Sequence, residues 1–355
     1  MITISDVARE AGVSISTVSN VINKKGTTKK ETAELVLQTI ERLGYVPNNM
    51  AQGLKSRRSN MIGIIAEDVR AFSSGEIIDG ICEYAENENY TIRLCNLRVN
   101  RKVSTAQESD YKQMENSKLF RETIQNLVTS LLTSRICGLI YIGTYPRDVS
   151  KVLPEMDIPV VYAYSYNSSE GSYCVNYDDF QGAYTATTNL IQNGHKRIGL
   201  ISGTVNSYPT HKRMLGYQTA LMDHQIPFIP EYLCTGKWHY EDGYEQCKKL
   251  LALPNPPTAI FSMSDLMAYG AMNACMDQGL RIPQDISIHG FDDLELSPFT
   301  RPALTTVQLP LHKIGLQAGK TICTLVSGKT VETASQLIPC SLIPRESVSA
   351  LANSK

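Results

Sequence analysis

Long apolar runs are missing from this 355-residue chain: nowhere do 18 or more apolar residues follow one another, so no membrane-spanning helix is expected. The opening pattern Met1-Ile2-Thr3-Ile4-Ser5-Asp6 has no basic stretch leading into an apolar one, which argues against secretion and for a cytoplasmic protein. Paired cysteines are also lacking. The nine thiols (Cys82, Cys95, Cys137, Cys174, Cys234, Cys247, Cys275, Cys323 and Cys340) are odd in number, form no C-x-x-C pair and sit in apolar segments, as expected for reduced, mostly buried thiols. The six histidines offer no H-x-x-x-H or H-x-C spacing, so no metal site is expected. No G-x-G-x-x-G or G-x-x-x-x-G-K-[ST] run follows an expected strand, and no activated nucleophile or paired-carboxylate motif is recognisable; neither a cofactor nor an enzyme activity is expected.

What is present is unevenly distributed. Residues 1–60 carry nine Lys/Arg against five Asp/Glu, a surplus of four positive charges, whereas the remainder carries 25 against 30. A small basic head on a mildly acidic body suggests nucleic acid at one end only. With 42% hydrophobic residues over this length, two or three packed units are expected.

Within the head, three helical patterns each have a start signal. Thr3 with Asp6 forms a capping box for a helix with Ile4, Val7 and Ala8 inward, and Ala11-Gly12-Val13 turns the chain, Gly12 being free to take positive φ. Ser14 caps a second helix over 15–23 with Val18, Val21 and Ile22 inward. Thr28 with Glu31 reads as a second capping box, followed by Ala33, Val36, Leu37, Ile40 and Leu43 at helical spacing until Gly44. Two helices joined by a tight glycine-containing turn can lay the second in a DNA major groove. There Asn20 suits an adenine edge, Ser16 several bases and Ile15 a thymine methyl, while Thr17, Ser19, Asn23 and Lys24 suit phosphates.

From Met61 onward, short β-branched runs at 61–66, 91–97, 138–143, 159–164, 197–202, 259–263 and 286–290 alternate with helical segments, which reads as parallel sheets covered by helices. Between Leu97 and Gly138 the connection is long. Its second half, with Leu119, Phe120, Ile124, Leu127, Val128, Leu131 and Leu132, is expected to be an amphipathic helix, and its polar first half, 98–117, an inserted surface loop or helix extension.

The run Ile4-Ser5-Asp6-Val7-Ala8-Arg9-Glu10-Ala11-Gly12-Val13-Ser14, then Thr17-Val18-Ser19, Val21-Ile22-Asn23 and Gly44-Tyr45-Val46-Pro47-Asn48, closely resembles the head of the lactose-repressor/galactose-repressor (LacI/GalR) family. The resemblance extends over nearly the whole chain through Asp179-x-x-Gly182-Ala183-Tyr184, Gly194-His195-x-x-Ile198-Gly199, Arg213-x-x-Gly216-Tyr217, Ser264-Asp265-x-x-Ala268-x-Gly270-Ala271, Arg281-Ile282-Pro283-Gln284-Asp285-Ile286-Ser287 and Gly290-Phe291-Asp292-Asp293. It implies a small all-α helix-turn-helix head (1–46), a hinge (47–58) and an α/β periplasmic-binding-protein-like core of two doubly wound parallel-sheet subdomains. The expected boundaries are 59–163 with 296–327 for the first, 164–295 with 328–345 for the second, and a tail at 346–355.

In such a protein Leu54 is the apolar wedge that kinks operator DNA, with Lys55 on phosphate nearby; a nine-residue hinge containing Gly53 is too short to be helical alone and is expected to order on DNA. Arginine, common in the family, is replaced here by Gln52. The resemblance further implies a homodimer on a pseudo-palindromic operator and a small-molecule effector in the cleft, contacted by Arg213, Asp292 and Trp238, with Ser264, Tyr164 and Ser74 lining it. A carbohydrate-like effector suits this set, a purine-type corepressor is the nearest alternative, and a solute-binding protein without regulatory role is more remote. Two departures from the family pattern, Phe72-Ser73-Ser74 after the first strand and Tyr162-Ala163-Tyr164 after the fourth, leave the effector open.

Overall fold

A computed structural model describes residues 2–22, 28–45, 60–101 and 108–351, and divides the chain into two units, Met1–Ser59 and Asn60–Lys355. In the first unit the helices Ile4–Glu10, Ile15–Ile22 and Lys30–Leu43 enclose a small core of Val7, Ala8, Ala11, Val18 and Val36. The Thr3–Asp6 capping box forms in full, Ser14 Oγ accepts from the Thr17 amide at 3.1 Å, and Gly12 (φ 64°) and Gly44 (φ 59°) take the left-handed backbone expected of them. Two expectations fail. The third helix is capped by Lys29 with no side-chain hydrogen bond, so the Thr28–Glu31 box does not form, and Leu37 faces solvent while Thr39 is buried, its hydroxyl satisfied by the Leu35 carbonyl.

The second unit contains two parallel sheets. Strands β1 (Met61–Ala66), β2 (Thr91–Asn96), β3 (Gly138–Ile142), β4 (Val160–Ala163), β5 (Tyr173–Tyr177) and β11 (Ser335–Ile338) form the first, in the order β11-β5-β4-β3-β1-β2. Strands β6 (Ile198–Ser202), β7 (Leu233–Thr235), β8 (Ala259–Ser262) and β9 (Ser287–His289) form the second, in the order β7-β6-β8-β9. A short antiparallel pair, β10 (Thr306–Gln308) with β12 (Ser341–Ile343), adjoins β9 through bridges from His289 to Thr305 and from Asp292 to Gln308. Central strands β1, β3, β6 and β8 are buried on both faces, which is why they read as continuous apolar runs. Among the described residues no helix is long and apolar enough to cross a membrane.

The sheets move the expected boundaries. Tyr173–Tyr177 and Ser335–Ile338 belong to the first sheet, not the second subdomain. Residues 297–308 pack on the second: Ser297 Oγ and Thr306 Oγ1 each donate to Asp265 at 2.5 Å. The chain therefore crosses between lobes near 178, near 310 and near 339. Residues 346–351 are no loose tail, because the Ile288 amide donates to the Ser347 carbonyl and the Leu351 amide to that of Asn193.

The long connection differs from expectation too. Phe120, Ile124, Val128 and Leu131 of the helix Lys118–Thr133 are buried as its periodicity predicts, but Leu119 and Leu132 are exposed. Ahead of it, parted only by Ser117, stands a further helix, Glu108–Asn116, which carries Tyr111 into the first lobe at 3% exposure, so of the two expectations for this segment its described end follows the helical one and not the surface loop.

Candidate functional site: an arginine clasp between two sheets, and a reading helix

In the head, Ile15 begins the second helix with its side chain half in solvent (50% exposed), and Ser16 beside it is exposed. The Ser14 hydroxyl holds those of Ser16 and Thr17 at 2.7 and 2.8 Å, which orients both toward the same end of the helix. Thr17, Ser19 and Asn20 are half-buried. Asn23, Lys24, Leu54 and Lys55 lie outside the described residues.

In the core, the carboxyl ends of both sheets converge on Arg213, where open α/β sheets place their ligands. Arg213 lies on the helix Tyr208–Asp223 and is 3% exposed. Its Nε donates to Asp179 Oδ1 at 2.7 Å, one Nη to the Met263 carbonyl at the end of β8, and the other to the Tyr177 hydroxyl, at the end of β5, at 2.9 Å. Asp292, just past β9, stands 3.6 Å from the same guanidinium. The guanidinium centre lies 3.7 Å from the Phe291 ring centroid and 5.6 Å from that of Trp238, so its faces are covered by aromatic rings. Trp238 in turn lies on Gly203, where any Cβ would collide with the indole, and its Nε1 donates to Thr204 Oγ1 at 3.1 Å.

Electrostatically, this cluster has more acid than base. Burial pushes the Asp292 carboxyl well above the ordinary aspartate range, Arg213 pulls it back only in part, and the nearby Asp265 and Asp179 push it further up. Burial raises Asp179 as well, against the pull of Arg213. Backbone strain gathers at the same place: Asp292 (φ 121°), Trp238 (φ 73°) and Tyr164 (φ 53°) all occupy positive φ without being glycine. Tyr164 is buried with its ring 5.5 Å from Tyr177, and burial plus Asp292 raises its phenol far above the usual value.

Of the six cleft residues singled out from sequence, Arg213, Asp292, Trp238 and Tyr164 are brought together. Ser264 is near, but its Oγ caps the helix Asp265–Asp277 by accepting from the Met267 amide. Ser74 is engaged elsewhere, donating to the Asp68 carbonyl at 2.8 Å inside the first lobe. Sequence reasoning missed Asp179, Tyr177 and Phe291, although Asp179 and Phe291 stand inside quoted motifs; an acid opening one motif and an aromatic next to Asp292 were the available signals. On another face of the Arg213 helix an apolar groove of about 400 Å³, lined by Val205, His211, Met214 and Leu233, contains none of the clasp residues.

Both regions of the chain match known families. Residues 3–48 match the bacterial regulatory proteins of the lacI family, and residues 187–348 a periplasmic binding protein-like domain. The chain is 35% identical over 340 residues to catabolite control protein A of Priestia megaterium, covering 95% of this chain and 96% of that one. It is 33% identical over 355 residues to the HTH-type transcriptional repressor PurR of Haemophilus influenzae (strain PittEE), covering 99% and 100%. Among solved structures, the lac repressor dimer bound to operator and the anti-inducer ONPF superposes with a TM-score of 0.77 at 27% identity, covering 99% of each chain.

Proposed function

Because the chain belongs to the lacI family of bacterial regulatory proteins and is a DNA-binding transcriptional regulator, we propose that it represses as a homodimer on a pseudo-palindromic operator and is switched by a small hydroxylated effector at the Arg213 clasp. The observation that carries this reading is where the partners of Arg213 come from: Tyr177 ends a strand of the first sheet, Met263 and Asp292 follow strands of the second, and Asp179 lies at the crossing between them. A solute that takes over any of these hydrogen bonds changes how the lobes are tied together. A ring flanked by Trp238 can offer hydroxyls to Asp292 as acceptor and to Arg213 as donor.

The effector then shifts the protein between two lobe arrangements, and with them the spacing of two reading heads. The shift is limited by the effector's differential affinity for the two arrangements, typically about 1–3 kcal/mol. A purine-type corepressor is the second reading, favoured by the planar surfaces of Phe291, Trp238 and Tyr177 around one guanidinium and by the PurR relatives.

Selection from random duplexes should recover a two-fold-related site. Titrating candidate sugars and nucleobases against that duplex should then change affinity in the intact protein and not in Arg213→Ala. A response retained in Arg213→Ala would remove the clasp from the effector site, and failure to enrich any duplex would remove operator binding.

A further inference from the structure

The first lobe holds a second buried arginine that the clasp does not use. Arg147, in the loop after β3, is 4% exposed and grips Glu67, the fully buried residue just past β1, through both Nη atoms at 2.8 and 2.5 Å. Tyr141 Oη (2.5 Å), the Thr144 amide (2.8 Å) and Thr144 Oγ1 (2.9 Å) also donate to that carboxylate, so among the described residues these first-lobe groups surround it on their own. Among the described residues of 98–117, two more join them. Glu115 accepts from Arg147 Nε at 3.2 Å and Nη2 at 2.7 Å, and Tyr111 lays its ring 4.7 Å from the guanidinium centre, edge-on to Tyr145 at 5.1 Å, with its hydroxyl 3.3 Å from Thr144 Oγ1.

Position gives this addition its meaning. Glu67, Thr144 and Arg147 follow β1 and β3 at the carboxyl edge of the first sheet, the same edge at which β5 presents Tyr177 to Arg213 and β4 leads into Tyr164 against Tyr177. From β4 to β1 is two strand spacings, about 10 Å. The helix Glu108–Asn116 therefore covers the part of the ligand-bearing edge next to the clasp. A guanidinium with spare N–H groups beside a carboxylate and aromatic rings is the chemistry that receives a hydroxylated ring.

We propose that Tyr111 and Glu115 are specificity-determining residues: the inserted helix plugs the first-lobe half of the crevice, filling with its own ring and carboxylate the place of a second sugar ring, and so restricts the effector to a single ring at Arg213. This rests on the effector reading above. Removing both side chains uncovers Arg147 Nε and one Nη proton while leaving the Glu67 pair intact.

The test uses the full chain and Tyr111→Ala/Glu115→Ala, titrated with ribose as a one-ring probe and cellobiose as a two-ring probe, and read by fluorescence of Trp238, the single tryptophan, and by calorimetry. The double variant should gain at least tenfold in cellobiose affinity, with ribose affinity within threefold of the intact chain. Cellobiose affinity equal in the two proteins, including no detectable binding to either, overturns the plug. Should the double variant not unfold cooperatively, Tyr111→Ala alone carries the same comparison with the same sign. Adding Arg213→Ala to the double variant separates the two claims: cellobiose binding that survives it keeps the plug and sinks the effector reading.

Discussion

Among the described residues the core carries two buried arginines, Arg147 after a strand of the first sheet and Arg213 on a helix after a strand of the second, and they are built for opposite purposes. Arg147 is held by residues of the first lobe alone, and its principal partner, Glu67, is kept below the ordinary glutamate range even though burial opposes it. Arg213 is held from both lobes, its acid partners Asp179 and Asp292 are pushed above their ordinary range, and the backbone around it is strained at Asp292, Trp238 and Tyr164. A satisfied, one-sided network fixes a shape. An over-acidic, strained and two-sided one has bonds to exchange, which is what a ligand-operated joint requires.

That contrast can be broken most directly at Arg147. Arg147→Ala leaves Glu67 as an uncompensated charge in a dry site and should lower core stability by about 3–5 kcal/mol, read as a shift of the denaturant midpoint. A loss under about 1 kcal/mol would mean that the network is not structural. Acid should separate the halves next. Burial depresses His289, beside the clasp on β9, to about 4, so its neutral form stabilises the fold fully above the unfolded value near 6.5 and this contribution is lost as pH falls from there toward 4. The full loss is about 3 kcal/mol. Glu67, with its pKa lowered, contributes stability present above the ordinary glutamate value and lost only below it, whereas Asp179 and Asp292, with their pKa raised, favour the folded second lobe as pH falls, so the slope of its stability between pH 6.5 and 5, read by exchange of amide hydrogens, is the His289 loss less their gain. His289→Leu should take the loss out of that slope; an unchanged slope would assign it elsewhere.

Arg213→Ala should be milder than Arg147→Ala, about 1–2 kcal/mol, since burial already pushes the Asp179 and Asp292 carboxyls up and so eases their taking up protons when the cation is removed. It should also erase effector-dependent changes in operator affinity. A stability loss equal to that of Arg147→Ala would erase the distinction. The smallest effect has the opposite sign: Asp292→Asn removes a carboxylate crowded by Asp265 and Asp179 and should raise the unfolding midpoint by about 1 kcal/mol while weakening the effector response. A destabilised Asp292→Asn would show that its contact with Arg213 outweighs the crowding.

Much of this was legible in the residues. Central strands announce themselves as unbroken apolar runs because both their faces are buried, and the head's first two caps follow from side chains three positions apart. Strands such as β5 (Tyr-Cys-Val-Asn-Tyr) and β11 (Ser-Gln-Leu-Ile) were not legible: they lie toward the sheet margin, mix polar with apolar residues, and are strands because a distant segment pairs with them. Lobe boundaries were misplaced for the same reason. At the site, Arg213, Asp292, Trp238 and Tyr164 came from resemblance to a family, whereas Tyr177 and Met263 are recruited by topology, one through a hydroxyl and one through a backbone carbonyl that no side-chain pattern reports. Glu67 and Arg147 are 80 positions apart, and nothing local links them.

The pairing of β5 with β11 has a consequence for synthesis. Tyr177 finds its partner Ile338 only after another 161 residues have been made, roughly 8–32 s at ordinary elongation rates. Throughout that interval the margin of the first sheet stands open and the crossing near 339 does not yet exist. The three helices of the head, whose core lies within the first 45 residues, are therefore made many seconds before the first sheet of the core can close.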